Sequence, residues 1–263
     1  MNIRYFLGFS IILAAEAKLK VVIFDKDQTL LSNEKYVVYW GEYMVDRIAH
    51  EVPDQNITET LNDSLGIRNG TLTGGVLSWG SYQQIIGSLY KALEKATHWI
   101  KEKIQKMLGQ LPKGSEVNDI PNIPKEFPPL CDLIPMFEKL RSKGLKVALV
   151  SANNRNSSIK AMEDAGIWKY FDYSLIGDEL VRMKPDPYAA EEVGKHFGVK
   201  PVEMIMVGDA PSDVGMANNA KLLAGVAVLT NDIYLEKLRR ETKYMIKDVC
   251  ELPELVEKEK WLD

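Results

Sequence analysis

Lys20-Val21-Val22-Ile23-Phe24-Asp25-Lys26-Asp27-Gln28-Thr29 decides the fold. Val21 to Phe24 is an unbroken apolar run of strand-forming residues. Such a run reads as a strand buried on both faces, the kind found in parallel sheets. In open α/β sheets, ligands bind just beyond the carboxyl ends of the strands. Asp25 and Asp27 follow that end directly, so chemistry is expected there. One acid can attack while its neighbour handles a proton. Asp-x-Asp-x-Thr is a weak signal by itself, since a solvated turn carries the same residues.

Three later segments add weight. Leu145-Lys146-Val147-Ala148-Leu149-Val150-Ser151 is a strand ending in a hydroxyl, followed by Ala152-Asn153-Asn154. Arg182-Met183-Lys184-Pro185-Asp186-Pro187 holds a lysine whose backbone is restricted by the proline ring after it. Met204-Ile205-Met206-Val207-Gly208-Asp209 is a further strand and acid, with Asp213 four residues on. In chain order these supply an acid pair, a hydroxyl, a lysine and an acid pair. With those residues in that order, the chain resembles the haloacid dehalogenase-like hydrolase superfamily. It is most similar there to the phosphatases grouped around phosphoglycolate phosphatase, and the four motifs cover residues 20–213.

The resemblance implies a Rossmann-like α/β core, a parallel sheet with helices on both faces, plus an all-helical cap inserted after the first motif. It also organises the chemistry. Asp25 is the expected nucleophile, forming an aspartyl-phosphate. Asp27 is the expected general acid for the leaving alkoxide and then the base for water. Thr29 supports the turn. Ser151 is expected to donate to a phosphoryl oxygen, with Asn153 beside it as a second candidate. Lys184 neutralises charge on the nucleophile and the phosphoryl group. Asp25, Asp209 and Asp213 form a set of hard oxygen ligands, whose mutual repulsion a Mg²⁺ ion would relieve. The family adds the main-chain carbonyl at Asp27 to that set. Blander roles stand beside these: a strand-end cap for Ser151, a solvated side chain for Lys184, and a helix N-terminal acid for Asp213. One position departs from the family pattern. Gln28 stands where glycine is usual, and glycine there permits a positive φ.

The rest of the chain frames this site. Its 263 residues, 46% hydrophobic and 27% charged, suit a packed domain with an insertion. A net charge of −4 gives no support for nucleic-acid binding, so any phosphate must be held by a local positive field. Cys131 and Cys250 lack a Cys-x-x-Cys partner; two buried or partly buried free thiols are expected, with a disulfide between them the open alternative. Residues 1–17 carry one arginine, an apolar run and Ala15-Glu16-Ala17, the pattern of a short secretory signal peptide. The run is too short for stable membrane insertion. An additional element packed on the core would look the same, so the location is open between cytoplasm and a secretory or organellar compartment.

Residues 18–32 and 128–263 are expected to form the core, and residues 33–127 the cap. Sheet-type runs stop after Ser32, and Tyr36, Val37, Trp40, Tyr43, Met44 and Ile48 fall at helical spacing. Ile85 to Leu108 continues such stripes. Gly70-Thr71-Leu72-Thr73-Gly74-Gly75 reads as a flexible connector. From Asp132 onward helix and strand alternate, as in a sheet covered on both faces. Asp186 is expected to cap a helix opening at Pro187.

The leading expectation is therefore a Mg²⁺-dependent phosphatase for a small phosphomonoester. A dehalogenase needs no second acid, so Asp27 argues against one. A phosphomutase would need cap groups that hold a sugar. Arg47, His50, Arg68 and His98 lie in the insertion but read as helix-surface residues. A catalytically silent phosphate-binding relative would not need Asp25, Asp27, Lys184 and Asp209 together.

Overall fold

The computed structural model describes residues 18–52, 56–79, 81–230, 232 and 234–263. The segment 1–17, read above as a signal peptide or N-terminal extension, lies outside them. In chain order, β1 (Val21–Phe24) is followed by α1 (Glu34–Ala49), α2 (Ile57–Leu65), β2 (Ile67–Arg68), β3 (Thr71–Leu72), α3 (Val76–Trp79), α4 (Tyr82–Ala96) and α5 (Lys101–Leu108). Then come α6 (Leu133–Ser142), β4 (Lys146–Ser151), α7 (Arg155–Asp164), β5 (Tyr173–Ile176), α8 (Tyr188–Phe197) and β6 (Met204–Gly208). The chain closes with α9 (Pro211–Asn219), β7 (Ala224–Val228), α10 (Leu235–Glu241), β8 (Tyr244–Ile246) and α11 (Leu252–Lys258).

Six of the strands form one sheet in the order β5-β4-β1-β6-β7-β8. Every pairing in it is parallel. Strand β1 is central, and its four residues are fully buried, as the apolar run required. Alternate side chains go to opposite faces. Val22, Phe24, Val147, Leu149, Ile205 and Val207 join one core with residues of α6, α7 and α11. Val21, Ile23, Ala148, Val150, Met204 and Met206 join another with residues of α8 and α9. The parallel sheet is thus covered on both sides, as its continuous apolar strands demand.

Strand order reverses at β1 and β6: connections run outward to β4 and β5 on one side, and to β7 and β8 on the other. This is where a crevice opens beyond the strand ends. Register sets what lines it. Phe24 lies beside Leu149 of β4 and Val207 of β6, so the residues that follow all three emerge together.

The insertion between β1 and α6 has its own apolar core, including Met44, Ile48, Leu61, Leu65, Leu89, Leu93 and Ile104. Helix α1 presents two faces. Val38, Met44, Val45 and Ile48 are buried in that core, while Tyr36, Tyr39, Trp40 and Tyr43 pack against Val117, Ile120 and Ile123. Ser81 caps α4 reciprocally with Gln84, satisfying two exposed amides at once.

The insertion is helical as expected, apart from one short antiparallel hairpin, β2–β3. Part of the stretch read as a flexible connector belongs to this hairpin. Asn69 (φ +50°) and Gly70 (φ +69°) form its two-residue loop, the Asn-Gly geometry that matches strand twist. Two other expectations change. Helix α8 opens at Tyr188 with Pro187 at its N-cap, and Asp186, one residue earlier, accepts from the Tyr188 amide at 2.9 Å. Cys131 and Cys250 are not free thiols: they form a disulfide, with Cα atoms 6.4 Å apart and 119 residues between them in sequence. Sequence spacing alone carries no pairing information. A loop that long, closed in the unfolded chain, is worth about 5 kcal/mol in the chain-entropy account. The bridge anchors the chain segment that returns from the insertion to the C-terminal part of the core.

Candidate active site

Asp25 leaves the end of β1 with its amide bonded to the Val207 carbonyl at 2.9 Å. The chain then turns back at once. The Lys26 carbonyl accepts from the amides of Leu30 and Leu31, and the Gln28 amide donates to the Leu31 carbonyl at 2.8 Å. That turn holds Gln28 at φ +55°. A non-glycine residue in this region costs about 1–2 kcal/mol. The Gln28 side chain offsets part of it by donating to Asn33 Oδ1 at 3.0 Å, tying the turn to the start of α1.

Lys184 reaches the same point from the loop before α8. Its ammonium lies 2.6 Å from Asp25 Oδ1 and 2.6 Å from Asp213 Oδ1. It also donates to the Val150 carbonyl at 3.4 Å. Burial works against the lysine's charge, but Asp213 and Asp25 outweigh it and hold the group above its ordinary value. Ser151, 2% exposed, ends β4 beside them. Its hydroxyl accepts from the Asn153 amide at 3.4 Å, which is the strand-end role.

Asp209 follows β6, and Asp213 stands in the first turn of α9. Asp213 is almost wholly buried, and its Oδ2 accepts from the Ala210 amide at 3.0 Å. Gly208 makes room for it: a Cβ there would overlap the Asp213 carboxylate. Thr29, fully buried, points its hydroxyl at Asp209 Oδ1 at 3.4 Å, so it links the first turn to the second acid pair. One carboxylate oxygen each from Asp25, Asp209 and Asp213 lies within 4.8 Å of the others. Burial pushes Asp209 well above the usual carboxylate range, with the charges of Asp213 and Asp25 adding to it. Burial likewise pushes Asp213 up to about 6, against the pull of Lys184. Three crowded, half-buried or buried acids with one lysine among them are short of positive charge, and a hard divalent cation fits such an oxygen set.

Asp27 lies apart from that cluster. Lys26 Nζ sits 2.6 Å from its Oδ1, and Asn153 Nδ2 donates to its Oδ2. Asn153 therefore holds the second acid, a role the sequence did not suggest. Burial raises the Asp27 carboxyl, Lys26 opposes the shift, and Asp25 adds to it. Asp25, Asp27, Lys184, Asp209 and Asp213 line one cleft of about 780 Å³, together with Val37, Leu72 and Leu77 from the insertion. A larger cleft of about 1250 Å³ adjoins it, lined by Lys26 and Asn153 of the core and by Tyr36, Trp40 and Phe127. Arg47, His50, Arg68 and His98 line neither cleft.

The model of the haloacid dehalogenase-like hydrolases matches residues 19–221. The chain belongs to that family. This hydrolase is similar to a phosphoglycolate phosphatase of Thiobacillus denitrificans, 23% identical over 202 residues, 77% of this chain and 80% of the relative. It is also similar to the pyrophosphatase PpaX of Halalkalibacterium halodurans, 28% identical over 120 residues. There it spans 44% of this chain and about half, 54%, of the relative's length. Among solved structures, the HAD phosphatase of Thermococcus onnurineus superposes with a TM-score of 0.58 at 22% identity, covering 90% of this chain and 98% of that one. The match of structure carries the fold. Hydrolases of this family with phosphatase activity generally use a divalent metal, and the Asp25, Asp209 and Asp213 oxygens suit one. Among the described residues no helix is long and apolar enough to cross a membrane.

Proposed function

We propose that this hydrolase is a Mg²⁺-dependent phosphatase that cleaves a small phosphomonoester, of the size of phosphoglycolate, through an aspartyl-phosphate. The observation that carries the reading is the meeting of Asp25, Asp27, Lys184, Asp209 and Asp213 in one cleft at the carboxyl end of the sheet. Asp25, Asp209 and Asp213, with the main-chain carbonyl of Asp27, would hold the ion. Bound there, Mg²⁺ would offset the negative charge of the acids and of the phosphoryl group.

The rest is done by side chains. A carboxylate oxygen of Asp25 bonds to phosphorus as the ester P–O bond breaks. Lys184 balances the charge that gathers on the phosphoryl oxygens, and Ser151 donates to one of them. Asp27 gives its proton to the leaving alkoxide, a role suited to a carboxyl raised by burial. Water then attacks phosphorus, Asp27 takes its proton, and the P–O bond to Asp25 breaks to release phosphate. A dehalogenase would leave Asp27 without a task.

In this reading residues 18–32 and 128–263 are the catalytic core, and residues 33–127 are a lid over it. Val37, Leu72 and Leu77 of the insertion share the cleft with Asp25, so closure would shed water from the phosphate. Phosphate release from 4-nitrophenyl phosphate, followed with Mg²⁺, with EDTA, and with Mg²⁺ restored, tests the proposal. Turnover is expected only where Mg²⁺ is present, and Ca²⁺ is expected to support less. Undiminished turnover in EDTA would overturn the metal assignment, and no turnover with Mg²⁺ would overturn the activity.

A further inference from the structure

Lys26 stands between the two acids of the first turn and has no role in the chemistry above. It is 2% exposed. A lysine is rarely buried so fully unless it is paired, because its charge must leave water. Its partners are Asp27 Oδ1, 2.6 Å away, and the ring of Phe127, whose centroid is 5.2 Å from the ammonium. A cation over an aromatic face is stabilised by the ring, though less than by a carboxylate.

The placement of this ammonium is informative. The phosphoryl side already has its lysine: Lys184 lines the cleft with Asp25, and Lys26 does not. Lys26 lines the larger adjoining cleft instead. Asp27 stands at the junction, one oxygen held by Lys26 and the other by Asn153. A phosphoryl group bound against Asp25 would present its ester oxygen to Asp27, and the leaving group would extend into the larger cleft. When Asp27 turns an oxygen toward that ester oxygen, its bond to Lys26 weakens. The buried ammonium then needs another anion close by. Other cations on that wall are engaged or solvated: Arg155 pairs with Glu179 at 2.6 Å, Lys160 with Asp164 at 3.0 Å, and Lys125 is exposed.

We propose that Lys26 selects substrates whose leaving group carries its own negative charge, a carboxylate or a second phosphoryl group a few atoms from the scissile ester oxygen. The proposal rests on the phosphatase reading. It deepens that reading by naming the charge of the leaving group and the residue that recognises it. Tyr36 and Phe127, with ring centroids 5.7 Å apart, then form the apolar wall beside that charge.

Two aryl phosphates of matched shape test this: 3-carboxyphenyl phosphate, with a charged leaving group, and 3-carbamoylphenyl phosphate, with a neutral one. Values of kcat/KM are compared in Mg²⁺ for the wild-type protein, Lys26→Met and Lys26→Arg. Wild type is expected to favour the carboxylate about tenfold or more, the range of a hydrogen bond between charged groups. Lys26→Met is expected to bring the ratio near one, and Lys26→Arg to restore most of it. Equal efficiency of wild type on both compounds would overturn the proposal while leaving the phosphatase reading intact. So would a preference that survives in Lys26→Met. If Lys26→Met lowers both compounds alike and keeps the ratio, the lysine only positions Asp27. If wild type cleaves neither of these compounds nor 4-nitrophenyl phosphate, the phosphatase reading itself has failed.

Discussion

The two adjoining clefts are built from different materials. The smaller one gathers Asp25, Asp27, Asp209, Asp213 and Lys184 beyond the strand ends of a parallel sheet. These four acids have fixed partners: Asp25 and Asp213 share Lys184, Thr29 points to Asp209, the Ala210 amide bonds Asp213, and Lys26 and Asn153 hold Asp27. The larger one is walled by aromatic side chains, amides and a loop on the β5 side. Its members come from α1 of the insertion, from α7 of the core and from connecting segments. A rigid, charged corner suits bond-making, where a small displacement is costly. A roomy, mixed wall suits recognition, where the groups need only match a leaving group. On the proposed reading, chemistry and selectivity occupy separate parts of this molecule, with Asp27 at the boundary between them.

The sharpest way to break that division is at Asp25. Replacing it with asparagine keeps the shape but removes the nucleophile. Turnover of 4-nitrophenyl phosphate is expected to fall about a thousandfold or more, in the range seen when a nucleophile is removed. Circular dichroism and the melting temperature should stay close to wild type, because the Asp25 amide bond to Val207 is kept. A loss below tenfold in a folded sample would remove Asp25 from the nucleophile's role.

Gly208→Ala probes the corner's rigidity. The new methyl would overlap the Asp213 carboxylate, so that acid or the end of β6 must shift. Overpacking of this kind destabilises by about 1–3 kcal/mol. Activity is expected to fall by about a hundredfold, since a displacement near 1 Å has that effect on catalysis. Urea denaturation and kcat read the two effects separately. Unchanged kcat would mean that the corner tolerates movement, and the contrast between the clefts would weaken.

The acid pair also makes a statement about pH. Asp209 is raised well above its ordinary range, and Asp213 is raised from 3.8 to about 6. The folded protein therefore holds protons that the unfolded chain would release. That contribution to stability is full below about 3.8 and is lost as pH rises through about 6. In EDTA the protein should lose on the order of 2 kcal/mol relative to Asp213→Asn between pH 4 and 7, measured by urea denaturation. Mg²⁺ is expected to recover stability at pH 7 and to do little at pH 4. A flat difference between the two proteins across this range would contradict the charge-crowded corner.

Much of the corner was legible in the sequence, for a physical reason. A strand buried on both faces leaves an unbroken apolar run, and the residue after the run is fixed in place by register. Asp25, Ser151 and Asp209 follow such runs, and parallel pairing of β1 with β4 and β6 brings them together. Lys184 and Asp213 were found through the order of motifs. The other cleft was harder to read. The sequence assigns Lys26 no role, since only the fold shows it buried beside Phe127. Asn153 reaches Asp27 across 126 residues of chain, a contact that no local pattern encodes. The disulfide is invisible for the same reason: its two cysteines are 119 residues apart. Asn69-Gly70 did carry a hairpin signal, but the glycines after it suggested a loose connector.

The smallest expected effect falls in the recognition cleft. Tyr36 belongs to α1 and lines the larger cleft, with its hydroxyl 3.3 Å from Asn118 Oδ1 and its ring beside Phe127. Burial and the charge of Asp27 hold its hydroxyl above the ordinary value, but its hydrogen-bond partner is Asn118. Tyr36→Leu keeps an apolar side chain on the wall but removes the ring face and the hydroxyl. If the wall only receives the leaving group, KM for an aryl phosphate should rise by about three- to tenfold, the loss of one modest aromatic contact, with kcat nearly unchanged. Stability should change by less than about 1.5 kcal/mol, because the ring is only half-buried. A fall in kcat of the same size, with KM unmoved, would show the wall acting in the transition state. The separation between a cleft for chemistry and a cleft for recognition would then have to be given up.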